Sequence, residues 1–225
     1  MSLQSQNSNS ILNENTIAAL VQRGVIFDTF RRLTSDKKQR IYQTTIHLFG
    51  KFGYDGLSID NFCKEASISK GSFFQYFSSK SHLLEFAILI FDDYIERLFF
   101  NIQRTEPSPL VRQKLSHLFK ALIANSYLYP AEKRFYFFIT QALEHSGVTL
   151  HGINLERHIQ DYIEEIIRRG EETGEIRGDF GVESTGYLVS LIIGALVKNT
   201  FQETILHNSE TEKYLMSFLF DGIKA

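Results

Sequence analysis

Three short stretches with the apolar spacing of helices occupy residues 39–84, and they constrain the fold more than any other feature of the chain. The first stretch repeats at one-turn intervals and stops near Phe52. Gly53 follows at the position where a left-handed helix cap favours glycine, so a first helix is predicted to end there. The members of this first stripe are Ile41, Thr45, Leu48, Phe49 and Phe52.

A second and a third helix follow with only a short connection between them. Ser58 is placed to accept hydrogen bonds from the open amides of a helix, which predicts a helix over residues 59–66. A third helix is predicted over residues 70–77, so the chain must turn sharply at residues 67–69. Phe73 and Phe77 are expected to pack inward. The outward positions of the third helix are predicted to be Lys70, Gly71, Ser72, Gln75 and Tyr76. This arrangement is typical of a helix-turn-helix DNA reader.

Charge is distributed in a way that fits such a reader. Residues 31–82 contain nine Lys or Arg against four Asp or Glu, whereas residues 83–225 contain fourteen against twenty. The net charge of the whole chain is only −2, so the positive excess is local. A local basic face is expected of a module that binds phosphates, and its DNA binding should weaken as salt rises.

Residues 40–84, RIYQTTIHLFGKFGYDGLSIDNFCKEASISKGSFFQYFSSKSHLL, resemble the DNA-binding domain of the tetracycline-repressor (TetR) family of transcriptional regulators. The resemblance implies an all-α homodimer, in which a three-helix helix-turn-helix domain reads a palindromic operator. A larger C-terminal helical domain would serve dimerisation and ligand sensing. The DNA contacts carried over from the family are Ser58, Ser69, Lys70, Gly71, Phe74, Gln75, Tyr76 and Lys80, and Ser72 is added as an outward position.

Two positions depart from the pattern of the family. Phe74 stands where the family usually has a tyrosine whose hydroxyl meets a phosphate, and phenylalanine lacks that hydroxyl. Ser67 stands where the turn most often has glycine, so a serine with positive φ would be strained there. Both are interpreted as variants of a reader that still binds DNA.

The sequence predicts three parts, namely an N-terminal extension over residues 1–33, the DNA-binding domain over 34–82 and a C-terminal domain over 83–225. The extension is expected to be partly disordered or to form an extra helix. Two interpretations of it stay open: an arm that adds Arg31 and Arg32 to the DNA contacts, or a helix packed on the DNA-binding domain. The second is favoured.

The C-terminal part is predicted to be helical and to begin with a long amphipathic helix. This helix runs from residue 80 to about 103 and is expected to couple the two domains. Residues 153–173 and 181–206 resemble the dimerisation helices of the family, which meet their symmetry mates as a four-helix bundle. The sequence therefore predicts a homodimer through these two helices.

Aromatic side chains in the C-terminal part allow two interpretations. They form a packed core, which is favoured for any single residue, or they line a cavity for a small, largely apolar or aromatic effector. The candidate ligand contacts are Phe91, Tyr94, Leu98, Phe119, Ile123, Phe138 and Tyr162. The alternative is a regulator that responds to a protein partner or works without an effector.

The remaining sequence features argue against other classes of protein. Cys63 is the single cysteine, and the apolar runs fall short of the ~20 residues that a membrane helix needs, so a cytoplasmic protein is expected. His151 and His158 form a weak metal pair without cysteine, and no metal or cofactor is predicted. Motifs of catalysis are not recognised either. The predicted function is a repressor that an effector releases from DNA, not an enzyme.

Overall fold

The fold is all-α, as predicted. A computed structural model describes residues 11–105, 108–128, 131, 132, 134, 135, 138, 155–201 and 209–223. Within its helices, the side chains at 95, 99, 103, 122–128, 155–158, 196–201, 209–212, 222 and 223 are outside the description. The helices are α1 (Glu14–Gln22), α2 (Asp28–Arg31), α3 (Ser35–Gly56), α4 (Ile59–Glu65), α5 (Lys70–Tyr76), α6 (Lys80–Thr105), α7 (Val111–Leu128), α8 (Leu155–Thr173), α9 (Val182–Phe201) and α10 (Ser209–Ile223). The described residues between 131 and 138 are also helical.

The chain forms two compact units. The first comprises Met1–Ile95 and Pro130–Ile153, and the second comprises Glu96–Tyr129 and Asn154–Ala225. Helix α6 contributes residues to both units. The division at residues 34–82 and 83–225 stays a prediction.

An aromatic cluster forms the core of the first unit. The Phe77 ring centre lies 5.5 Å from that of Phe30, 5.6 Å from that of Phe73 and 5.4 Å from that of Phe86. All four rings are fully buried. Since a buried phenylalanine contributes roughly 3–5 kcal/mol relative to alanine, this cluster holds α2, α5 and α6 together.

The N-terminal segment forms two helices, α1 and α2, where the sequence indicated at most one. Gly24 has a φ of 73°, which separates them. Arg31 and Arg32 are exposed, and Arg32 forms an ion pair with Asp28 at 2.6 Å. The buried side chains of this segment are Ile11, Ile17, Leu20, Val25, Ile26 and Phe30. The segment is thus part of the core of the first unit.

In the second unit, two glycines permit close packing. A Cβ at Gly170 would lie 2.5 Å from Cγ1 of Ile176, and a Cβ at Gly186 would lie 2.6 Å from Cγ of Glu164, which brings α8 and α9 together. Helix α8 ends before Gly174, whose φ is 75°, as the sequence predicted. The apolar stripe of α8 is buried and consists of Tyr162, Ile163, Ile166 and Ile167.

Candidate nucleic-acid interface

The connection between α4 and α5 is a tight left-handed turn. Ser67 has a φ of 53°, and the Ile68 amide donates to the Cys63 carbonyl at 3.0 Å while the Ser67 amide donates to the Lys64 carbonyl at 3.2 Å. These two hydrogen bonds supply donors to carbonyls at the C-terminal end of α4, which have no partner within the helix. The positive φ considered for Ser67 is confirmed. A side chain in this region costs roughly 1–2 kcal/mol.

Serine residues cap the N-terminal ends of both helices of the helix-turn-helix, α4 and α5. The Ser58 hydroxyl accepts from the Asn61 amide at 3.1 Å, and the Ser69 hydroxyl accepts from the Ser72 amide at 3.0 Å. The hydroxyls of Ser69 and Ser72 are also 2.8 Å apart. These bonds fix the start of each helix, because the first amides of a helix have no partner within it.

Gly71 lies on the exposed side of the first turn of α5, and its own unit does not require a glycine there. Its φ is not positive, and an added Cβ would meet only the Ser69 hydroxyl, at an ordinary 3.8 Å. Glycine in a helix interior is less favourable than alanine by roughly 1 kcal/mol. A glycine at this position therefore leaves room for the backbone of a bound molecule to approach α5 closely.

Most of the candidate DNA-binding residues are exposed, and most of these belong to α5 or to its N-terminal cap. Phe74 is 47% exposed, which is unusual for so large an apolar side chain. Ser72 and Lys80 are half-buried. The exposed candidates are Ser58, Ser69, Lys70, Gly71, Phe74 and Gln75.

Tyr76 does not face outward, and this prediction was wrong. Its side chain is only 5% exposed, and its ring centre lies 6.1 Å from that of Phe30. Its hydroxyl accepts from the Lys37 ammonium at 3.1 Å. No local pattern in the sequence indicates this burial, because Phe30 belongs to α2 and lies more than forty residues before Tyr76 in the chain.

Several basic side chains of residues 31–82 have partners within the protein. The Lys70 ammonium lies 2.9 Å from the Asp60 carboxylate, with both side chains exposed. Arg40 donates to the Ala66 carbonyl at 3.0 Å. Lys80 donates to the carbonyls of Tyr54 and Leu57 at 2.7 and 3.1 Å. Some of the basic side chains of residues 31–82 therefore donate hydrogen bonds to carbonyls at helix ends, which a count of charges could not reveal.

Three buried groups of the first unit have a raised pKa. Burial, followed by the nearby Asp60, raises the pKa of the Cys63 thiol. Burial, followed by Glu132 and Tyr94, raises the pKa of Tyr42, whose hydroxyl has no hydrogen-bond partner among the described residues. Burial also raises the pKa of Glu132. The thiol thus stays protonated near neutral pH, which makes it a poor nucleophile.

The candidate effector-binding residues belong to both units. In the first unit, the Phe138 ring stacks on Phe49 with ring centres 6.0 Å apart, and the Phe91 ring centre lies 6.4 Å from that of Phe135. Such contacts are those of a packed core. The Ile123 side chain lies outside the described residues. Of the others, Phe91, Tyr94, Phe119 and Tyr162 are buried, and Leu98 and Phe138 are half-buried.

The described residues include neither a membrane-spanning helix nor a cluster of metal ligands. In that part of the chain, none of the helices has the length and apolar character to cross a bilayer. The same residues contain no group of three His, Cys, Asp or Glu side chains that could hold a metal ion. His151 and the side chain of His158 lie outside the description.

Two serine-capped helices joined by a tight turn, with an exposed glycine in the first turn of the second, define a helix-turn-helix protein. Comparison with known proteins supports this assignment for the DNA-binding part of the chain. Residues 41–87 match the model of the bacterial regulatory proteins of the tetR family. This match assigns a TetR-type DNA-binding domain to residues 41–87.

Individual relatives support this assignment. The chain is 32% identical over 90 residues to the HTH-type transcriptional regulator YuxN of Bacillus subtilis, an alignment that covers 39% of this chain and 31% of YuxN. It is 33% identical over 61 residues to IcaR of Staphylococcus aureus, described as a negative transcriptional regulator of the biofilm operon icaADBC, covering 27% of this chain and 33% of IcaR. The chain thus spans about a third of the length of these curated relatives.

A solved structure extends the likeness in fold to most of the chain. A TetR family transcriptional regulator from Chloroflexus aurantiacus superposes with a TM-score of 0.68 at 18% identity. This match covers 89% of this chain and 99% of the other. The likeness in fold to this structure therefore includes helices of the second unit.

Proposed function

We propose that this protein is a DNA-binding transcriptional regulator and acts as a repressor. The observation that carries the proposal is the exposed first turn of α5, where Gly71 has no structural reason to be glycine within its own unit. The small residues of this turn suit the edge of a DNA groove, and Ser69, Lys70 and Ser72 supply hydrogen-bond donors for phosphates. Repression is favoured because IcaR, a relative, is described as a negative regulator.

The proposed DNA contacts are Ser58, Ser69, Lys70, Gly71, Ser72, Phe74 and Gln75, with α5 as the recognition helix. Gln75 is suited to bidentate pairing with adenine. Phe74 offers an apolar contact for a thymine methyl group or a sugar, in place of the phosphate bond of a tyrosine. Tyr76 and Lys80 were also expected to contact DNA, but we assign them to the support of the reader, because their polar atoms have partners in the first unit.

We further propose a homodimer, which would place two recognition helices in successive major grooves. The sequence favoured residues 153–173 and 181–206 for the interface. However, the apolar stripe of α8 is buried in its own unit, so we place the interface on α9 and α10. The large apolar side chains exposed there are Tyr187, Leu188, Leu191, Tyr214 and Phe218, each 49–70% exposed. A surface of this kind on two helices is typical of an interface.

Control by a small, largely apolar or aromatic effector remains part of the proposal. An effector releases DNA to the extent that it binds the DNA-incompetent conformation more tightly than the competent one. Control by a protein partner is the alternative. Binding to operator DNA also implies a cytoplasmic location in a bacterium.

The test begins with selection of a duplex from a random library by the purified protein. Gly71→Ala is then compared with wild type on that duplex. We expect the stability of the variant to be equal or higher by up to about 1 kcal/mol, because alanine is the better helix former, while its DNA affinity falls at least tenfold. Gln43→Ala, at an exposed position of α3, is the matched control and should leave DNA affinity unchanged. Equal affinity of Gly71→Ala and wild type would contradict the proposed interface.

A further inference from the structure

The N-terminal segment donates hydrogen bonds to carbonyls at the C-terminal end of α5, the proposed recognition helix. The Phe27 amide, at the start of α2, donates to the Tyr76 carbonyl at 3.0 Å, and the Thr29 hydroxyl donates to the Gln75 carbonyl. Gln75 and Tyr76 are the last two residues of α5. The final carbonyls of a helix have no partner within it, so α2 supplies donors that α5 lacks.

Packing and charge attach the same segment to the rest of the first unit. Phe30 is fully buried, and its ring centre lies 6.1 Å from that of Tyr76 and 5.5 Å from that of Phe77. The Lys38 ammonium, almost fully buried on α3, lies 2.7 Å from the Glu14 carboxylate on α1. Helices α1 and α2 are therefore held on one side by α3 and on the other by the end of α5.

We propose that α1 and α2 form a positioning element for the recognition helix and thereby set the sequence specificity of DNA binding. Thr29 and the Phe27 amide act through α5 and do not touch DNA themselves. Base contacts need side chains held within about 0.5 Å of their working geometry, whereas phosphate contacts tolerate small displacements. A loosened α5 end should therefore weaken specific binding and leave nonspecific binding intact. This inference rests on the proposed DNA-binding function.

The experiment uses the full-length protein and compares Thr29→Val with Thr34→Val. Both changes replace a hydroxyl by a methyl group at an exposed threonine, and the Thr34 side chain makes no capping hydrogen bond. Affinities for the selected duplex and for a random duplex are measured by fluorescence anisotropy over a range of salt concentrations. Melting temperature is followed by circular dichroism to show that each variant is folded.

We expect Thr29→Val to bind the selected duplex about two- to tenfold more weakly, the range for one lost hydrogen bond. Its affinity for the random duplex and its salt dependence should match wild type, because no phosphate contact is removed. Thr29→Ser, which retains the hydroxyl, should restore specific binding, and Thr34→Val should behave as wild type.

Two results would overturn the inference. One is a Thr29→Val variant indistinguishable from Thr34→Val on the selected duplex. The other is equal weakening on both duplexes with a shallower salt dependence, which would mean that the segment itself contacts phosphates. Failure of the wild-type protein to prefer any duplex would instead refute the proposed function, so the two failures are distinguishable.

Discussion

Lys80 holds the end of α3, and replacing it by methionine tests whether its ammonium is bound within the protein. The ammonium donates to the Tyr54 and Leu57 carbonyls at 2.7 and 3.1 Å and lies 4.2 Å from the centre of the Tyr54 ring. Gly53, with a φ of 68°, breaks the helix just before these carbonyls, so the last turn of α3 depends on outside donors. Methionine keeps the length of the side chain and removes the charge.

The expected loss of stability follows from these contacts. A hydrogen bond from a charged group contributes roughly 1.5–3 kcal/mol, and a cation–π contact at an exposed site contributes about 0.5–1 kcal/mol. Lys80 is half-buried, and its bond to Tyr54 is exposed to solvent, so the full sum does not apply. We expect Lys80→Met to lower the free energy of unfolding by about 1–2 kcal/mol. Lys64→Met, at an exposed position of α4, should change it by less than about 0.5 kcal/mol.

Urea denaturation followed by circular dichroism measures this difference, and binding to the selected duplex at several salt concentrations measures the second consequence. A lysine that contacts a phosphate reduces the salt slope by about one when it is removed. Because carbonyls already hold the Lys80 ammonium, the slope for Lys80→Met should equal that of wild type. A variant as stable as wild type with a slope reduced by about one would refute this reasoning.

Three further substitutions test the left-handed turn at Ser67, the buried hydroxyl of Tyr42 and the proposed dimer interface at Leu188. Ser67→Gly should raise the free energy of unfolding by about 0.5–1 kcal/mol, because glycine relieves the left-handed turn but loses more backbone entropy on folding; urea denaturation checks this, and a decrease would contradict it. Tyr42→Phe removes a buried hydroxyl without a described partner and should stabilise the protein by about 1 kcal/mol; a loss above 1 kcal/mol would mean that the hydroxyl is bonded in solution. Leu188→Glu should convert the dimer to a monomer in light scattering, whereas Leu110→Glu, at another exposed leucine of the second unit, should leave the dimer intact; a Leu188→Glu dimer would contradict the proposed interface.

Capping and helix-breaking residues make the helix-turn-helix predictable from the sequence. Ser58 and Gly53 act on the backbone within a few residues, so the bounds of α4 and the end of the regular part of α3 follow from the residues themselves. The positive φ of Ser67 is also predictable, because the connection between the two helices is too short for any arrangement other than a sharp turn. Capping and turn chemistry are short-range, and that is why these elements were recognised.

Contacts distant in sequence were the ones that sequence reasoning missed. Tyr76 is covered by Phe30, and Lys80 is held by carbonyls more than twenty residues earlier in the chain. Neither partner has a periodic pattern that indicates the pairing. The same limit applies to the proposed dimer surface, because an apolar stripe on a helix does not reveal whether its own unit or a second chain covers it. Burial of the α8 stripe and exposure of Leu188 are the reasons for proposing α9 in place of α8.

Selection of duplex DNA by the wild-type protein decides whether α5 binds DNA in a sequence-specific way. We predict enrichment of a palindromic site whose half-sites are about one helical turn, or about 10 bp, apart, and binding that weakens steeply as salt rises. Failure to enrich any sequence over the starting library at low salt, by a protein shown to be folded, would contradict the claim that α5 reads DNA.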